Sequence, residues 1–262
     1  PAAARELRAT ADAVARVDAL LGEAPGRGGT ADVAALPAAT VVLDGVTVRR
    51  GPRTVLRDAT LRIGDGERVA LVGPSGSGKS TIGELLVDLL PVGAVHGAAT
   101  IDGRPLDEVD PHVLRRTILH VPQDPYLFDA DVRANLRLAL PDADDDALRQ
   151  ALRDAGAGAW LDGLRDGLDT PVGERGGHLS GGERQRIGVA RALLAGRRPD
   201  GGPRLLVLDE PVSQLPPEEG VALLRRLLDA DSSRGALLIA HRDAEAALAD
   251  RCVTVSAQGR LA

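Results

Sequence analysis

The chain of 262 residues has 44% hydrophobic and 27% charged residues and a formal net charge of -6, values that are typical of a folded globular protein and exclude a disordered one. The acidic balance argues against a dedicated nucleic-acid-binding protein. The single cysteine, Cys252, excludes a disulfide framework and a cysteine-rich metal site. The longest apolar runs, such as 235–240, have the length of a strand, so the sequence predicts no membrane-spanning helix.

The first 40 residues differ in pattern from the rest. Apolar residues recur at helical spacing between 4 and 21, which predicts a helix. Gly, Ala and Pro are frequent over 22–40, which indicates a linker. The sequence contains no Met, and we therefore expect the chain to be a processed form or an excised piece of a longer protein.

Strand patterns begin at residue 41. β-Rich runs occupy 41–48 and 54–63, with a Gly-Pro turn signal between them. A short buried strand is predicted at 68–72, and a helix at 79–90 follows a loop rich in Gly and Ser.

Strands and helices continue to alternate in the second half. A strand at 117–121 precedes a mostly helical segment at about 125–196. Apolar strand runs at 205–208 and 236–240 are separated by a helix near 218–230. The alternation predicts an α/β fold in which a mostly parallel sheet is covered on both faces and a helical subdomain is inserted.

The loop after the third strand run has the pattern of a phosphate-binding loop. Glycines let successive backbone N–H groups turn toward an anion, and the following helix directs its positive end at the same place. The lysine reaches the β and γ phosphates, and the next hydroxyl can bind Mg²⁺. Lys79 is the only lysine among 32 basic residues. The predicted ATP-binding residues are Gly73, Pro74, Ser75, Gly76, Ser77, Gly78, Lys79, Ser80 and Thr81.

Two adjacent acids end the apolar strand run at 205–208. Because side chains alternate along a strand, Asp209 and Glu210 point in different directions. Asp209 is therefore predicted to face Mg²⁺ together with Ser80, and Glu210 to face the attacking water.

The run Leu-Ser-Gly-Gly-Glu at 179–183 resembles the signature of the ATP-binding domains of ABC transporters. A hydroxyl and glycine amides at the start of a helix form a second anion site. The resemblance implies that Ser180, Gly181, Gly182 and Glu183 act in trans, on ATP held by a second ABC domain. It extends from about residue 41 to 261 and implies a P-loop NTPase fold of the ABC type, with an antiparallel β portion beside the parallel core.

Further motifs of this family appear in the expected order. Gln123, in Val-Pro-Gln, corresponds to the glutamine that contacts the metal and senses the membrane partner. His241 corresponds to the histidine that contacts the γ-phosphate and the water, so that Glu210, His241 and Gln123 are the implied catalytic residues. The segment 169–177 looks like the extra loop of exporter-type members, and 126–128 matches the surface that receives the membrane domain. The alternative is that the two aromatic residues of 126–128 are core residues of the helical subdomain.

Two positions depart from the family pattern. An aromatic residue usually stacks on adenine at the place where this chain has Arg49 or Arg50, and we assign Arg50 to ATP binding because a guanidinium can also stack on a base. The loop after Glu210 has Pro216 in place of a usual Asp, which puts communication between two ATP sites in doubt.

The resemblance implies an ATP-hydrolysing motor domain of an exporter, with ATP and Mg²⁺ as ligands. The implied partners are a second ABC domain and a transmembrane domain in the same parent chain, at the cytoplasmic face of the membrane. The motif sequences look closest to cysteine/glutathione exporter subunits tied to cytochrome bd assembly. Two alternatives remain: an ABC ATPase without a membrane partner, acting on DNA or ribosomes, and the low-activity half of an asymmetric heterodimer, which Pro216 suggests.

Overall fold

The computed structural model describes residues 36–91, 93–199 and 201–262. The predicted helix at 4–21 and most of the predicted linker lie outside the described residues. The part of the linker that is described packs on the domain, because Leu36 and Ala39 are buried. The Asp102 carboxylate accepts hydrogen bonds from the backbone N–H groups of Ala38 and Thr40 at 3.1 and 2.9 Å, which fastens this segment to the first sheet.

The first sheet is antiparallel and has the strand order β2-β1-β4-β5. Its β1 strand alternates between buried and more exposed residues, as expected where one face of a sheet covers a core. The β1–β4 register shifts between Asp44 and Thr47, which marks a bulge. The strands are β1 Val41–Arg50, β2 Arg53–Ile63, β4 Val95–Ile101 and β5 Arg104–Pro105.

The second sheet has the order β6-β7-β8-β3-β9, and every pair in it is parallel. All residues of β7 and β8 are buried, as expected for strands that are covered on both faces. The strands are β3 Arg68–Val72, β6 Ile118–Val121, β7 Leu205–Asp209, β8 Gly235–Ile239 and β9 Arg251–Thr254.

Helices cover the parallel sheet and form the segment between β6 and β7. Aspartate or serine side chains cap several of them: Asp131, Asp144 and Ser180 each accept a hydrogen bond from a backbone N–H of the first turn. The helices are α1 Lys79–Leu86, α2 Pro111–Thr117, α3 Val132–Arg137, α4 Asp145–Asp154, α5 Gly158–Asp162, α6 Gly181–Ala195, α7 Pro217–Asp229 and α8 Asp243–Ala246.

The predicted fold class is confirmed: a parallel core, an antiparallel sheet and a group of helices between β6 and β7. The helix expected over 79–90 is shorter than predicted, because α1 ends at Leu86 and Asp88 has a left-handed φ of 54°. Strands β4 and β9 were missed by the sequence patterns. In β9 only Val253 is buried, so the strand lacks the apolar alternation that sequence analysis detects.

Gly97 of β4 provides a test of how tightly the antiparallel sheet is packed. Its φ is 97°, and a Cβ atom there would lie 2.5 Å from the carbonyl oxygen of Gly45. Gly103 has a φ of 77° with nothing within 4 Å of such an atom. We expect Gly97→Ala to lower the free energy of unfolding by about 1–3 kcal/mol more than Gly103→Ala, because only Gly97 adds a backbone clash to the strain.

Urea denaturation of the two variants measures this difference. Equal losses would show that the β1 bulge relaxes away from the added methyl group.

Candidate active site

The loop between β3 and α1 depends on glycines at two close backbone approaches. A Cβ at Gly73, where φ is 146°, would lie 2.1 Å from the carbonyl oxygen of Val255. A Cβ at Gly78, where φ is 102°, would lie 2.8 Å from Leu56 of β2. The loop is therefore held between β2 and the segment after β9, and its conformation requires glycine.

Lys79 lies inside this loop and is only 4% exposed. Its Nζ donates to the carbonyl oxygens of Gly73 and Pro74 at 2.8 and 3.0 Å. These bonds stabilise the buried ammonium and direct it toward the inner side of the loop, where an anion has the lysine and the start of α1 as neighbours.

Ser80 of α1 and Asp209 at the end of β7, two of the predicted metal ligands, are in contact. The Ser80 hydroxyl donates to Asp209 Oδ1 at 3.1 Å, and Asp209 is 7% exposed at the end of β7. One hydroxyl and one carboxylate fit Mg²⁺, which keeps waters and binds substrate phosphates besides one or two protein oxygens. The described residues contain no cluster of three or more His, Cys, Asp or Glu side chains that could hold an ion alone.

Glu210 follows Asp209 in a left-handed conformation, with a φ of 48°. A residue other than glycine costs about 1–2 kcal/mol in this region, and such strain is most often found at functional sites. Glu210 Oε1 lies 2.6 Å from Nε2 of His241, which follows β8 and the residue Ala240. The two acids have different partners, but the reason differs from the predicted strand alternation, because β7 ends at Asp209 and the left-handed backbone at Glu210 sets the direction of its side chain.

Glu245 was not identified from the sequence, yet it holds the segment that carries His241. It is 4% exposed, and its carboxylate accepts from the backbone N–H groups of His241 and Arg242 at 3.2 and 3.4 Å. Its Oε1 atom also lies 3.4 Å from the Arg242 guanidinium. A capping box is recognised in a sequence by Ser or Thr three residues before the Glu. Arg242 occupies that position here, so the sequence did not indicate the role of Glu245.

A cavity of about 540 Å³ joins most of the predicted ATP-binding and catalytic residues. Residues of the phosphate loop, Gln123, Glu210 and His241 line it together with residues of β1 and β2. Its lining comprises Arg50, Arg53, Val55, Ser75, Gly76, Gly78, Lys79, Ser80, Thr81, Gln123, Glu210 and His241.

The signature residues lie apart from this cavity, since none of them lines it. Ser180 caps α6: its Oγ accepts from the Glu183 N–H at 3.3 Å, and the Glu183 carboxylate accepts from the Ser180 N–H at 2.7 Å. Both residues lie at the N-terminus of α6, a helix of 15 residues, and outside the cavity that contains the phosphate loop of the same chain.

Gln185 was also missed, although it connects three segments near the site. It is 2% exposed on α6. Its Nε2 donates to the Gln123 carbonyl oxygen at 3.1 Å and to the Ser213 hydroxyl at 2.9 Å, and its Oε1 accepts from the Gln214 N–H at 2.9 Å. One buried amide therefore fixes the backbone at Gln123 and the loop that follows Glu210.

A group of exposed apolar side chains lies on the helical segment. Tyr126, Phe128 and Leu138 are 55%, 53% and 56% exposed, and the two aromatic rings contact edge-to-face with centroids 5.0 Å apart. A groove of about 320 Å³ runs beside Tyr126 and Leu138. We call these three residues the apolar patch.

The buried Asn135 and the half-buried Arg191 shape the backbone beneath the apolar patch. Asn135 accepts from the Phe128 N–H at 2.9 Å and donates to its carbonyl oxygen at 3.0 Å. The Arg191 guanidinium donates to the Tyr126 carbonyl oxygen and to Asn135 Oδ1, each at 2.6 Å. Burial lowers the pKa of Arg191 to about 10. Asn135 and Arg191 thus form a hydrogen-bonded frame that fixes the backbone at Tyr126 and Phe128 of the patch.

Comparison with known proteins finds similarity to ABC transporter proteins. The family model described as ABC transporter matches residues 56–213. The cyclolysin secretion/processing ATP-binding protein CyaB of Bordetella pertussis is 41% identical over 228 residues, which are 86% of this chain and 31% of that protein. Antigen peptide transporter 2 of Mus musculus is 39% identical over 81% of this chain and 29% of its own length.

A solved structure agrees with these relatives. It is described as a bacterial Atm1-family ABC exporter with ATP bound, and it matches with a TM-score of 0.79 and 33% identity over 87% of this chain and 39% of that one. The chain thus spans about a third of the length of the proteins it matches. Within the described residues, no helix combines the length and apolarity needed to cross a bilayer.

The amide of Gln185 can be tested by substitution. We expect Gln185→Leu to lower kcat for ATP about tenfold or more, because the loops that carry Gln123 and Glu210 lose a common anchor. The Kd for ATP should stay within about threefold, since no atom of Gln185 lines the cavity.

Gln150→Leu is the matched control, because Gln150 is exposed on α4 and donates only to Asp154 in its own helix. Steady-state hydrolysis and equilibrium ATP binding separate the two effects. A variant with unchanged kcat would show that Gln185 serves packing alone.

Proposed function

Because the chain belongs to the ABC transporter family through its ATP-binding domain, we propose that it is the ATP-hydrolysing motor of an exporter, driving transport through attached membrane segments. The observation that carries the proposal is the cavity in which the phosphate loop, Glu210 and His241 meet. The exporter type is supported by the Atm1-family structure and by the two transport relatives.

In this proposal the phosphates of ATP lie in the loop that contains Lys79. Lys79 and the N–H groups at the start of α1 stabilise the charge on the transferred phosphoryl group. Ser80, Asp209 and Gln123 hold Mg²⁺, which neutralises phosphate charge when it is bound. Glu210 orients and polarises the attacking water, and His241, which lies 2.6 Å from Glu210, fixes that carboxylate.

The second ATP contact comes from another ABC domain. Ser180, Gly181 and Gly182 form an anion site at the N-terminus of α6 that lies outside the cavity of its own chain. Closing two domains face to face would place this site on the γ-phosphate held by the partner. The Glu210 and His241 arrangement supports a hydrolytic domain rather than the low-activity half of a heterodimer.

The apolar patch is the proposed contact with the transmembrane domain, at the cytoplasmic face of the membrane. Three large side chains more than half exposed on one segment are a typical protein contact. The frame of Asn135 and Arg191 connects them to α6, which carries the signature residues. A movement of the membrane domain would therefore reach α6 directly.

The transported substrate is proposed on the motif sequences alone. The runs at 121–128 and 179–186 support a cysteine or glutathione exporter of the kind tied to cytochrome bd assembly. Uptake of labelled cysteine and glutathione into inverted vesicles that contain the parent protein tests this, with a peptide substrate as the alternative. Peptide uptake without thiol uptake would replace the proposed substrate and leave the motor function intact.

The role of Glu210 leads to a direct test. We expect Glu210→Gln to keep the Kd for ATP within about threefold while turnover falls at least about 100-fold, because the amide keeps the shape but loses the charge that activates water. The variant should also accumulate as an ATP-trapped dimer in size-exclusion chromatography. Turnover near the native rate would remove Glu210 from its proposed role.

The apolar patch allows a second test in the parent protein. Leu138→Ala should leave the ATPase activity of the isolated domain unchanged and lower transport about tenfold, because a buried contact with the membrane domain is lost. Leu89→Ala is the control, since Leu89 is 58% exposed and lies after α1, outside the patch. Equal transport by both variants would contradict the proposed contact.

A further inference from the structure

The N-terminus of α6 has two backbone donors that its capping box does not use. The Ser180 hydroxyl accepts from the Glu183 N–H, and the Glu183 carboxylate accepts from the Ser180 N–H. Gly181 and Gly182 lie between these residues in the first turn, where a helix has no acceptor of its own for the N–H groups. The two glycine N–H groups form no hydrogen bond with another of the described residues, so both are free to bind an anion.

The side chain of Gln214, in the loop after Glu210, lies directly against this turn. A Cβ atom on Gly181 would be 3.2 Å from both Cγ and Oε1 of Gln214 and 3.3 Å from its Cδ. Gln214 is exposed, and its side-chain amide forms no hydrogen bond with any residue that the structure describes. Rotation about its last torsion angle can turn either the oxygen or the NH2 group toward a ligand. An amide donor is therefore available beside the two free backbone N–H groups.

The backbone that carries Gln214 is fixed from two sides. Its N–H donates to Oε1 of the buried Gln185 at 2.9 Å. The next residue, Leu215, is buried, and its Cδ2 atom would lie 3.3 Å from a Cβ atom on Gly182. A ligand that binds at this place has to order only the side chain of Gln214 and not the loop, which keeps the entropic cost of the contact small.

We propose, on the basis of the proposed function, that Gln214 is a further ATP-binding residue that acts in trans, with its NH2 group donating to a phosphate oxygen of the ATP held by the partner domain. A carboxamide has two N–H donors, and the phosphate oxygens are charged acceptors. The contact adds to those of Ser180, Gly181 and Gly182 and forms only when two domains close. Gln214 does not line the cavity of its own chain, so it stabilises the closed dimer and not the binding of ATP by one domain.

The Glu210→Gln protein, in which we expect the ATP-bound dimer to accumulate, is the background for the test. Sedimentation equilibrium with Mg²⁺ and ATP measures the dissociation constant of the dimer, and calorimetry at protein concentrations below that constant measures the Kd for ATP. Gln214→Leu keeps the approximate size of the side chain but has no donor. It should raise the dimer dissociation constant at least about tenfold, because a hydrogen bond to a charged group is lost at each of two sites. The Kd for ATP should stay within about threefold.

The charge at this position distinguishes a phosphate contact from packing. Gln214→Glu should weaken the dimer more than Gln214→Leu, because a carboxylate would face the phosphates. Gln214→Arg should hold the dimer within about threefold of the background or make it tighter, because a guanidinium also donates to phosphate. The same three substitutions at Gln150 are the matched controls, since Gln150 is exposed on α4 and its side chain donates only within that helix. They should leave the dimer dissociation constant unchanged.

The possible outcomes separate this inference from the proposed function. A Gln214→Leu dimer as stable as the background overturns the inference and leaves the proposed dimer intact. Equal losses for the Leu, Glu and Arg substitutions show that Gln214 serves packing at the interface, which also overturns the inference. If the Glu210→Gln protein itself forms no dimer with ATP, the proposed closure of two domains and the inference are contradicted together.

Discussion

The parallel pairing of four adjacent strands determines where every proposed catalytic group lies. Strands β6, β7, β8 and β3 run in one direction, so their carboxyl ends meet at the same edge of the sheet. Gln123, Asp209, His241 and the phosphate loop follow those four ends in the chain. Lys79 and His241 are 162 positions apart in sequence, and this strand order brings both of them, with Gln123, to one cavity, while Asp209 contacts Ser80 of its lining. A change in the order would separate them even if every motif were preserved.

The features that could be predicted from the sequence are those with a local pattern in the chain. Apolar runs mark β3, β7 and β8 because strands covered on both faces need no polar alternation. The phosphate loop is recognisable because its glycines and lysine satisfy a local geometric requirement. Asp209 contacts Ser80 and Glu210 contacts His241, but strand alternation does not explain this difference, because β7 ends at Asp209 and Glu210 has a left-handed φ of 48° that the sequence does not indicate.

Other features have no local signal. Gln185 acts through three bonds to residues that are 28 to 62 positions away, and a single Gln in a helix does not indicate such contacts. Glu245 also has no local signal, because its role is seen only in the hydrogen bonds that its buried carboxylate accepts from the backbone N–H groups of His241 and Arg242. Strand β9 has only one buried residue, and it is identified by its parallel pairing with β3 rather than by its own sequence. Sequence reasoning finds groups that meet a ligand more readily than the groups that hold them in place.

Gln185 also connects the two anion sites that the proposed dimer would use. It lies five residues after Ser180 on α6, and it bonds to the loop after Glu210 and to the backbone of Gln123. Gln214 of that loop packs against Gly181, where a Cβ would lie 3.2 Å from its side chain. A displacement of α6 would therefore reach the backbone of Gln123 and the loop after Glu210 through direct hydrogen bonds. Because Arg191 on the same helix holds the apolar patch, α6 is the element that would join the proposed membrane contact, the proposed partner's ATP and the proposed catalytic residues of this chain.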